Sequence, residues 1–138
     1  MEYIEFLIRH HNGGQPAPKF LKIPNDKGER IGQVLDFFGV DDPVESCNIK
    51  WNCAVFSGRI PSNLVPIACE DEGNIICLEV GSNNCGKVYY WDHNRETSLP
   101  SFENVDEIAD SFDRFINGLF AYEIDELLLQ HAMGTNKA

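Results

Sequence analysis

The middle of the chain alternates between apolar runs and short polar turns. Turns rich in Gly, Asn and acidic residues lie at Glu70–Gly73 and Ser82–Gly86. Runs of this length, rich in β-branched and aromatic residues and bounded by turn residues, are typical of strands joined by hairpins. The pattern therefore predicts strands at Leu64–Cys69, Asn74–Val80 and Lys87–Asp92, with a short further strand at Ser98–Pro100.

Helical periodicity appears before this region. Apolar residues recur at helical spacing from Tyr3 to His11, and Asn12-Gly13-Gly14 then supplies residues that tolerate a left-handed stop. Asp42-Pro43 is a helix start, because Asp accepts amide protons of the first turn and Pro lacks a donor that would be unpaired there. A helix is predicted at Pro43–Phe56, with one apolar face made of Val44, Cys47, Trp51, Ala54 and Val55.

The longest apolar stripe predicts a helix from Val105 to about Leu119. Its apolar positions are Val105, Ile108, Ala109, Phe112, Phe115, Ile116 and Leu119. The opposite face is acidic in its first half, where the positive end of the helix dipole favours carboxylates. A further amphipathic turn is expected within Ala121–His131, followed by frayed chain at Gly134–Ala138.

The segment between the first two helices allows two interpretations. Prolines rule out a long helix over Pro16–Gly28, and a short strand is predicted at Phe20–Ile23. Arg30–Val40 fits either a hairpin partner for that strand or a helix, because its apolar residues satisfy both periods.

Aromatic residues are expected mainly in the core. Trp91 lies in the third predicted strand, and we expect it to be buried near Phe112 or Phe115. Trp51 is expected to enter the same core.

The composition predicts one acidic domain. A chain of 138 residues with 22 acidic and 11 basic side chains has a formal net charge of −11, and its length suffices for one core. This charge opposes binding to nucleic-acid phosphates and favours fast encounter with a basic partner, although it also keeps a protein in solution. Met1–Glu5 does not resemble a leader and no run is long enough to cross a bilayer, so we expect a cytoplasmic protein.

The cysteines are expected to be buried free thiols in a reducing compartment. They are odd in number and form no C-x-x-C pair. Three lie inside or beside apolar strands; the full set is Cys47, Cys53, Cys69, Cys77 and Cys85.

Motifs for metal binding are weak. Adjacent His10 and His11 diverge on a helix and lack the spacing of a helical zinc site. Glu70–Asn74 lacks the alternate-ligand spacing of a calcium loop and fits a solvated hairpin turn. We therefore predict no metal site and no cofactor.

A catalytic set is equally weak. Cys85, Asp92 and His93 are the residues that could suggest nucleophilic catalysis, but the sequence shows no base held within reach of the thiol. We therefore predict that the protein is not an enzyme.

One order of motifs runs through most of the chain, over roughly residues 4–120. Its parts are Phe6-Leu7, Asn12-Gly13-Gly14, Pro66-Ile67-Ala68, Gly73-Asn74, the strand Gly86-Lys87-Val88-Tyr89-Tyr90-Trp91-Asp92-His93, and Phe112–Phe120. This order resembles the SUKH superfamily. The resemblance implies an α+β fold, in which helices pack over a mostly antiparallel sheet of about five or six strands, with Arg30–Val40 as a strand. One SUKH-like domain would occupy residues 1–138, with 121–138 as a C-terminal extension.

The resemblance also implies a binding module rather than an enzyme. Bacterial members are mostly immunity proteins, so a basic cognate toxin domain, often a nuclease, is the expected partner, with its active site occluded. The alternative is a regulatory interaction protein, like the fungal members linked to cell-wall assembly and glucan synthesis; a small thiol-dependent or hydrolytic enzyme is the third option. No nucleic acid or membrane is expected as a partner, and the oligomeric state stays open. Clustering of acids suggests as contact residues Glu70, Asp71, Glu72, Asp106, Asp110 and Asp113.

Overall fold

The computed structural model describes residues 2–25, 28–81 and 86–121. Its α-helices are α1 (Glu2–Arg9), α2 (Ile49–Val55) and α3 (Phe112–Gly118), and its strands are β1 (Phe20–Asn25), β2 (Gly28–Phe37), β3 (Leu64–Glu70), β4 (Ile75–Glu79), β5 (Val88–Trp91) and β6 (Val105–Ala109). None of these helices is long and apolar enough to cross a membrane. Apart from Ala121, the turn predicted within Ala121–His131 lies outside the described residues, as does Gly134–Ala138.

The strands form one six-stranded antiparallel sheet in which spatial order equals chain order, β1-β2-β3-β4-β5-β6. The sheet curls nearly into a barrel, so that Arg30 of β2 reaches the hydroxyl of Tyr90 on β5. We call the side of the sheet that bears Tyr90 the inner face and the other side the outer face. This is the predicted α+β fold, and the strand interpretation of Arg30–Val40 is confirmed as far as Phe37.

Most of the predicted local elements are confirmed. The bounds of five predicted elements agree with the structure to within a residue or two at each end. These are the helix at Tyr3–His11 and the strands at Phe20–Ile23, Leu64–Cys69, Asn74–Val80 and Lys87–Asp92. The strand predicted at Ser98–Pro100 is wrong, because this segment is part of an irregular loop between β5 and β6.

Both faces of the sheet bury apolar side chains. On the inner face α1 and α3 meet over the strands, and the rings of Tyr3 and Phe112 lie 5.1 Å apart. On the outer face Trp91 is fully buried against Phe56, which follows α2, with ring centroids 5.5 Å apart. Burial on two sides explains why the central strands read as continuous apolar runs instead of alternating.

Trp91 is buried as predicted, but its predicted neighbours are wrong. Phe112 and Phe115 belong to the cluster on the inner face, whereas Trp91 points to the outer face, since successive strand residues alternate between faces. Trp51 is only half-buried. The residue of α2 that packs against both clusters is Ile49.

The helix predicted at Pro43–Phe56 is broken in two. A 3₁₀ turn at Glu45–Cys47 is followed by Asn48 in an extended conformation, and α2 begins only at Ile49. The break has a tertiary cause, because Asn48 forms a parallel bridge with Gly39. The predicted apolar face is wrong as well, since Val44 is 56% exposed.

The single helix predicted from Val105 to Leu119 is also wrong in its first half. Val105–Ala109 form β6, in which Val105 pairs with Trp91 of β5, and α3 begins only at Phe112. The apolar spacing fits a helix, but the backbone groups of β5 need partners, and pairing with β6 supplies them. In the second half the prediction holds, since Phe112 and Phe115 are buried as expected.

Candidate functional site

The six predicted contact acids do not share one surface. The register places the β3–β4 turn, the end of β5 and the start of β6 side by side, and we call this the turn end. Asp71 and Glu72 lie there, whereas Asp110 and Asp113 flank the start of α3, beyond the other end of β6. We call that second region the helix end. The length of β6 separates the two regions by about 15 Å, at roughly 3.3 Å per strand residue.

At the turn end, cations already pair with some of the acids. Glu72 lies 3.2 Å from Arg30, although its side chain is 60% exposed. Asp106 lies 2.9 Å from Arg95 and is half-buried. Asp71 is exposed, and its carboxylate accepts the backbone N–H of Gln33 in β2 at 3.4 Å instead of pairing with a cation. The charge that this end offers to a partner is therefore partly neutralised.

Glu70 lies beneath the surface of the turn end, at 1% exposure. One carboxylate oxygen accepts the backbone N–H of Glu72 at 2.8 Å, and the other accepts the hydroxyl of Tyr90 at 3.0 Å. The Tyr90 hydroxyl also accepts hydrogen bonds from Arg30 and Asn74. Glu70 therefore ties the β3–β4 turn to β2 and β5, and a docked partner could not touch it without rearrangement.

Tyr90 keeps its proton in this network. Burial and the neighbouring Glu70 carboxylate raise the pKa of its hydroxyl well above the usual range. The group can therefore donate to Glu70 while it accepts from Arg30, which balances donors and acceptors inside the curled sheet.

The residues that could suggest catalysis serve local structure where they are described. The carboxamide oxygen of Asn74 accepts the backbone N–H of His93 at 2.9 Å and lies 2.6 Å from Nδ1 of its ring. The Asp92 carboxylate accepts the amide of Asn94 and pairs with Arg95 at 3.1 Å. Cys85 lies outside the described residues. Among those described, no group of His, Cys, Asp and Glu could hold a metal ion.

The described cysteines differ in their surroundings. Cys77 is fully buried on β4, and burial raises the pKa of its thiol, so that it stays protonated. Cys47 and Cys69 are half-buried free thiols, and Cys53 on α2 is exposed. Burial is thus confirmed for Cys77 and wrong for Cys53.

The exposed acids of the helix end have weak cationic partners. Lys87 is close enough to Asp110 to act on it electrostatically, but its ammonium group pairs with Glu107 at 2.9 Å. Asp110 approaches Arg114 only to 3.9 Å, with both side chains more than half exposed. Asp113 is exposed, and its backbone N–H donates to the carboxylate of Glu2 at 3.0 Å, which brings a further acid from α1 to the same place. This end therefore presents the less neutralised of the two acidic regions.

The outer face holds a second buried carboxylate, which the sequence analysis missed. Glu79 of β4 is 5% exposed, and within the described part of the chain one of its oxygens has no hydrogen-bond partner. The other oxygen has only distant donors, the amide of Asn63 at 3.3 Å and the hydroxyl of Tyr89 at 3.4 Å. The ring of Phe102, 49% exposed, stands edge-on to Tyr89 at 6.2 Å. An acid inside the apolar run of β4 is the signal that could have drawn attention to Glu79.

The loop between β5 and β6, which carries Phe102, is tied down at both ends. Asn104 is 1% exposed, and its side chain and carbonyl bond to the backbone of Asp92 at 2.9 Å each. Earlier in the loop, the carboxylate of Glu96 accepts two hydrogen bonds from Arg59, both of 2.9 Å. The exposure of Phe102 is therefore imposed by a held backbone.

The fold thus defines an α+β domain on a curled antiparallel sheet, in which the described polar clusters hold turns and strands together. The chain belongs to the SMI1/KNR4 family (SUKH-1), whose sequence profile matches residues 1–118. The resemblance seen in the motifs is confirmed. Membership supports a protein-binding module of the immunity or regulatory type.

A curated relative is known from a prophage. Over 93 residues the chain is 39% identical to the SPbeta prophage-derived uncharacterized protein YokK of Bacillus subtilis (strain 168). The matched stretch covers 67% of this chain and 44% of that protein. No solved structure matches the chain.

Proposed function

We propose that this protein is an immunity-type binding protein that neutralises a basic toxin domain by covering its active site. The observation that carries the proposal is the surplus of exposed acids on a member of this family, with a net charge of −11. Asp71, Glu72, Asp110 and Asp113 are all exposed and available for contact.

The mechanism is occlusion guided by charge. Toxin domains that act on nucleic acids need basic clefts to hold phosphates, and an acidic protein surface competes for the same cleft. Long-range attraction raises the association rate, whereas the closely packed contacts set the dissociation rate. Of the two acidic regions, the helix end supports the stronger steering, because cations neutralise it less.

Charge reversal at each end tests this proposal. One variant combines Asp110→Lys with Asp113→Lys, and its matched control combines Asp71→Lys with Glu72→Lys. Both change the net charge by the same amount, so a difference between them reports position. The association rate with the purified cognate toxin domain is measured at low and high salt. We expect the helix-end variant to associate about tenfold more slowly at low salt and to lose most of its salt dependence.

Two outcomes would contradict this proposal, one for the steering by acids and one for the immunity function. If both variants associate with the toxin at the rate of the unmodified protein, with the same salt dependence, the acids do not steer docking. If the unmodified protein does not bind the toxin or restore activity to its target, the immunity function itself fails.

A further inference from the structure

We propose that a patch on the outer face, made of Asn63, Glu79, Tyr89 and Phe102, receives an arginine side chain of the partner protein. The inference rests on the proposed function and deepens it, because it names a contact that steering by exposed acids does not supply. We call these four residues the outer-face patch.

The first step concerns the carboxylate of Glu79. A buried carboxylate is costly unless its oxygens are paired, and one oxygen of Glu79 has no partner among the described residues. Lys87 lies opposite Glu79 in the ladder, since the Glu79 amide donates to its carbonyl at 2.9 Å. Its ammonium group, however, pairs with Glu107 at 2.9 Å. Glu79 is therefore a buried anion that no described cation neutralises.

The second step concerns the donors that do reach Glu79. Asn63 and Tyr89 approach the same oxygen at 3.3 and 3.4 Å, at the long end of the hydrogen-bond range. A charged donor makes shorter and stronger bonds to a carboxylate than these neutral groups. An incoming cation can therefore replace these two weak contacts with one charged contact. The free oxygen is itself buried, so the cation reaches it only when the side chains of Asn63 and Tyr89 move aside.

The third step identifies the cation as a guanidinium group, from a precedent on the same face. Arg59 lies over the rings of Phe56 and Trp91, at 5.0 and 5.5 Å from their centroids. Its guanidinium group also donates one hydrogen bond to each carboxylate oxygen of Glu96. The outer-face patch offers the same combination of rings and carboxylate without an arginine. A planar guanidinium group can stack on a ring and bind a carboxylate through two donors, which an ammonium group cannot do.

The fourth step concerns the rim of the patch. Phe102 is 49% exposed, and hydrogen bonds hold the loop that presents it. Apolar groups held in place around a charged contact exclude water and reduce the ordering cost of docking. The patch thus combines a fixed apolar rim with an unpaired anion beneath it.

A titration with a defined probe tests the site without a toxin. The protein is titrated with n-butylguanidinium chloride, with n-butylurea as the uncharged counterpart and with n-butylammonium chloride as the non-planar cation, while backbone amide shifts are followed by NMR. We expect saturable shifts at Glu79, Tyr89 and Phe102 with the guanidinium probe alone. Glu79→Gln should abolish them, and the matched control Glu5→Gln, an exposed acid on α1, should retain them.

Two results of the titration would overturn the assignment. One is a set of non-saturating shifts spread over all exposed acids, which would indicate general attraction of cations. The other is equal binding of n-butylammonium, which would remove the argument for arginine.

Binding to the toxin then separates this inference from the proposed function. Glu79→Gln and Phe102→Ala should each raise the dissociation rate about tenfold or more, whereas Glu5→Gln and Ile8→Ala, which alters a 78% exposed apolar residue on α1, should not. If the toxin binds all four variants like the unmodified protein, the patch is overturned and the proposed function stands. If the toxin does not bind the unmodified protein, the proposed function fails, and the guanidinium titration alone decides the patch.

Discussion

Glu70 and Glu79 end neighbouring strands at opposite ends of the sheet, and both are buried, at 1% and 5% exposure. Their surroundings differ completely. On the inner face, Glu70 has partners for both oxygens, including the hydroxyl of Tyr90 at 3.0 Å and an amide at 2.8 Å. On the outer face, Glu79 has one oxygen that no described residue pairs with. A buried carboxylate therefore stabilises the fold at Glu70, whereas at Glu79 it leaves one oxygen without a described hydrogen-bond donor.

The largest expected effect comes from breaking the satisfied site. Glu70→Ala should lower the free energy of unfolding by about 3 kcal/mol, because it leaves Arg30, Tyr90 and Asn74 without their common partner. Urea unfolding followed by fluorescence measures this. The control is Glu72→Ala. The Glu72 side chain is 60% exposed, so its ion pair with Arg30 should contribute less than about 1 kcal/mol to stability. Equal losses in the two variants would show that Glu70 is not a structural centre.

Removing one hydroxyl from each site compares them more finely. Tyr90→Phe should cost about 1–2 kcal/mol, because Arg30 and Asn74 lose a buried acceptor. Tyr89→Phe removes only a 3.4 Å contact to Glu79 and should cost under about 0.5 kcal/mol. Paired thermal melts of the two variants give the difference, and a larger loss for Tyr89→Phe would reverse the comparison.

Neutralising the unpaired carboxylate should have the opposite sign. Glu79→Gln keeps the shape of the side chain and removes an uncompensated charge, so unfolding should become harder by up to about 1 kcal/mol. Chemical denaturation at neutral pH, with Glu70→Gln alongside, provides the test. The contrast between the sites would collapse if Glu79→Gln lost as much stability as Glu70→Gln.

The smallest effect concerns Glu96, a half-buried and paired carboxylate that serves as a reference. The hydrogen bonds from Arg59 hold the pKa of Glu96 below its ordinary value of 4.5. A carboxyl whose pKa is lowered by folding contributes stability above its unfolded pKa and loses it as the pH falls through the lower folded value. Glu96→Gln should therefore lower the free energy of unfolding at neutral pH by a few tenths of a kcal/mol, which thermal melts would detect as a slightly lower Tm. The gap should close below about pH 4.5, and a gap that stayed constant with pH would contradict this.

Most of the sheet could be predicted from the sequence, because hairpin-linked strands are marked by residues that are neighbours along the chain. Apolar runs and turn residues marked β3, β4 and β5, and Gly73 takes the positive φ of 88° that the β3–β4 turn requires. β6 could not be predicted in this way, because its apolar spacing fits a helix and only pairing with β5 makes it a strand. Likewise, the bridge from Asn48 to Gly39 breaks a helix that local periodicity alone supports.

The candidate site was less predictable, for the same physical reason. Clustering in the sequence grouped Glu70 with Asp71 and Glu72, yet the first is buried and the others are exposed. Asp106 and Asp110 are close in sequence but lie at different ends of β6, and Glu79 drew no attention because it lay within a strand. Whether an acid is paired, buried or free depends on the partners that folding brings to it.

By itself, the sequence determined the acidic charge, the order of most elements and the motifs of the SUKH family, since these depend on composition and on neighbours along the chain. Only the tertiary structure decided that Trp91 and Tyr90 enter different cores, that Val105–Ala109 extend the sheet, and that Glu70 is paired while one oxygen of Glu79 is not. The curling of the sheet brings Arg30 to Tyr90 and Glu70, residues far apart in the chain. Among residues 2–25, 28–81 and 86–121, no comparable donor reaches the free oxygen of Glu79. β4 turns that side chain to the outer face, where Lys87 is already paired with Glu107.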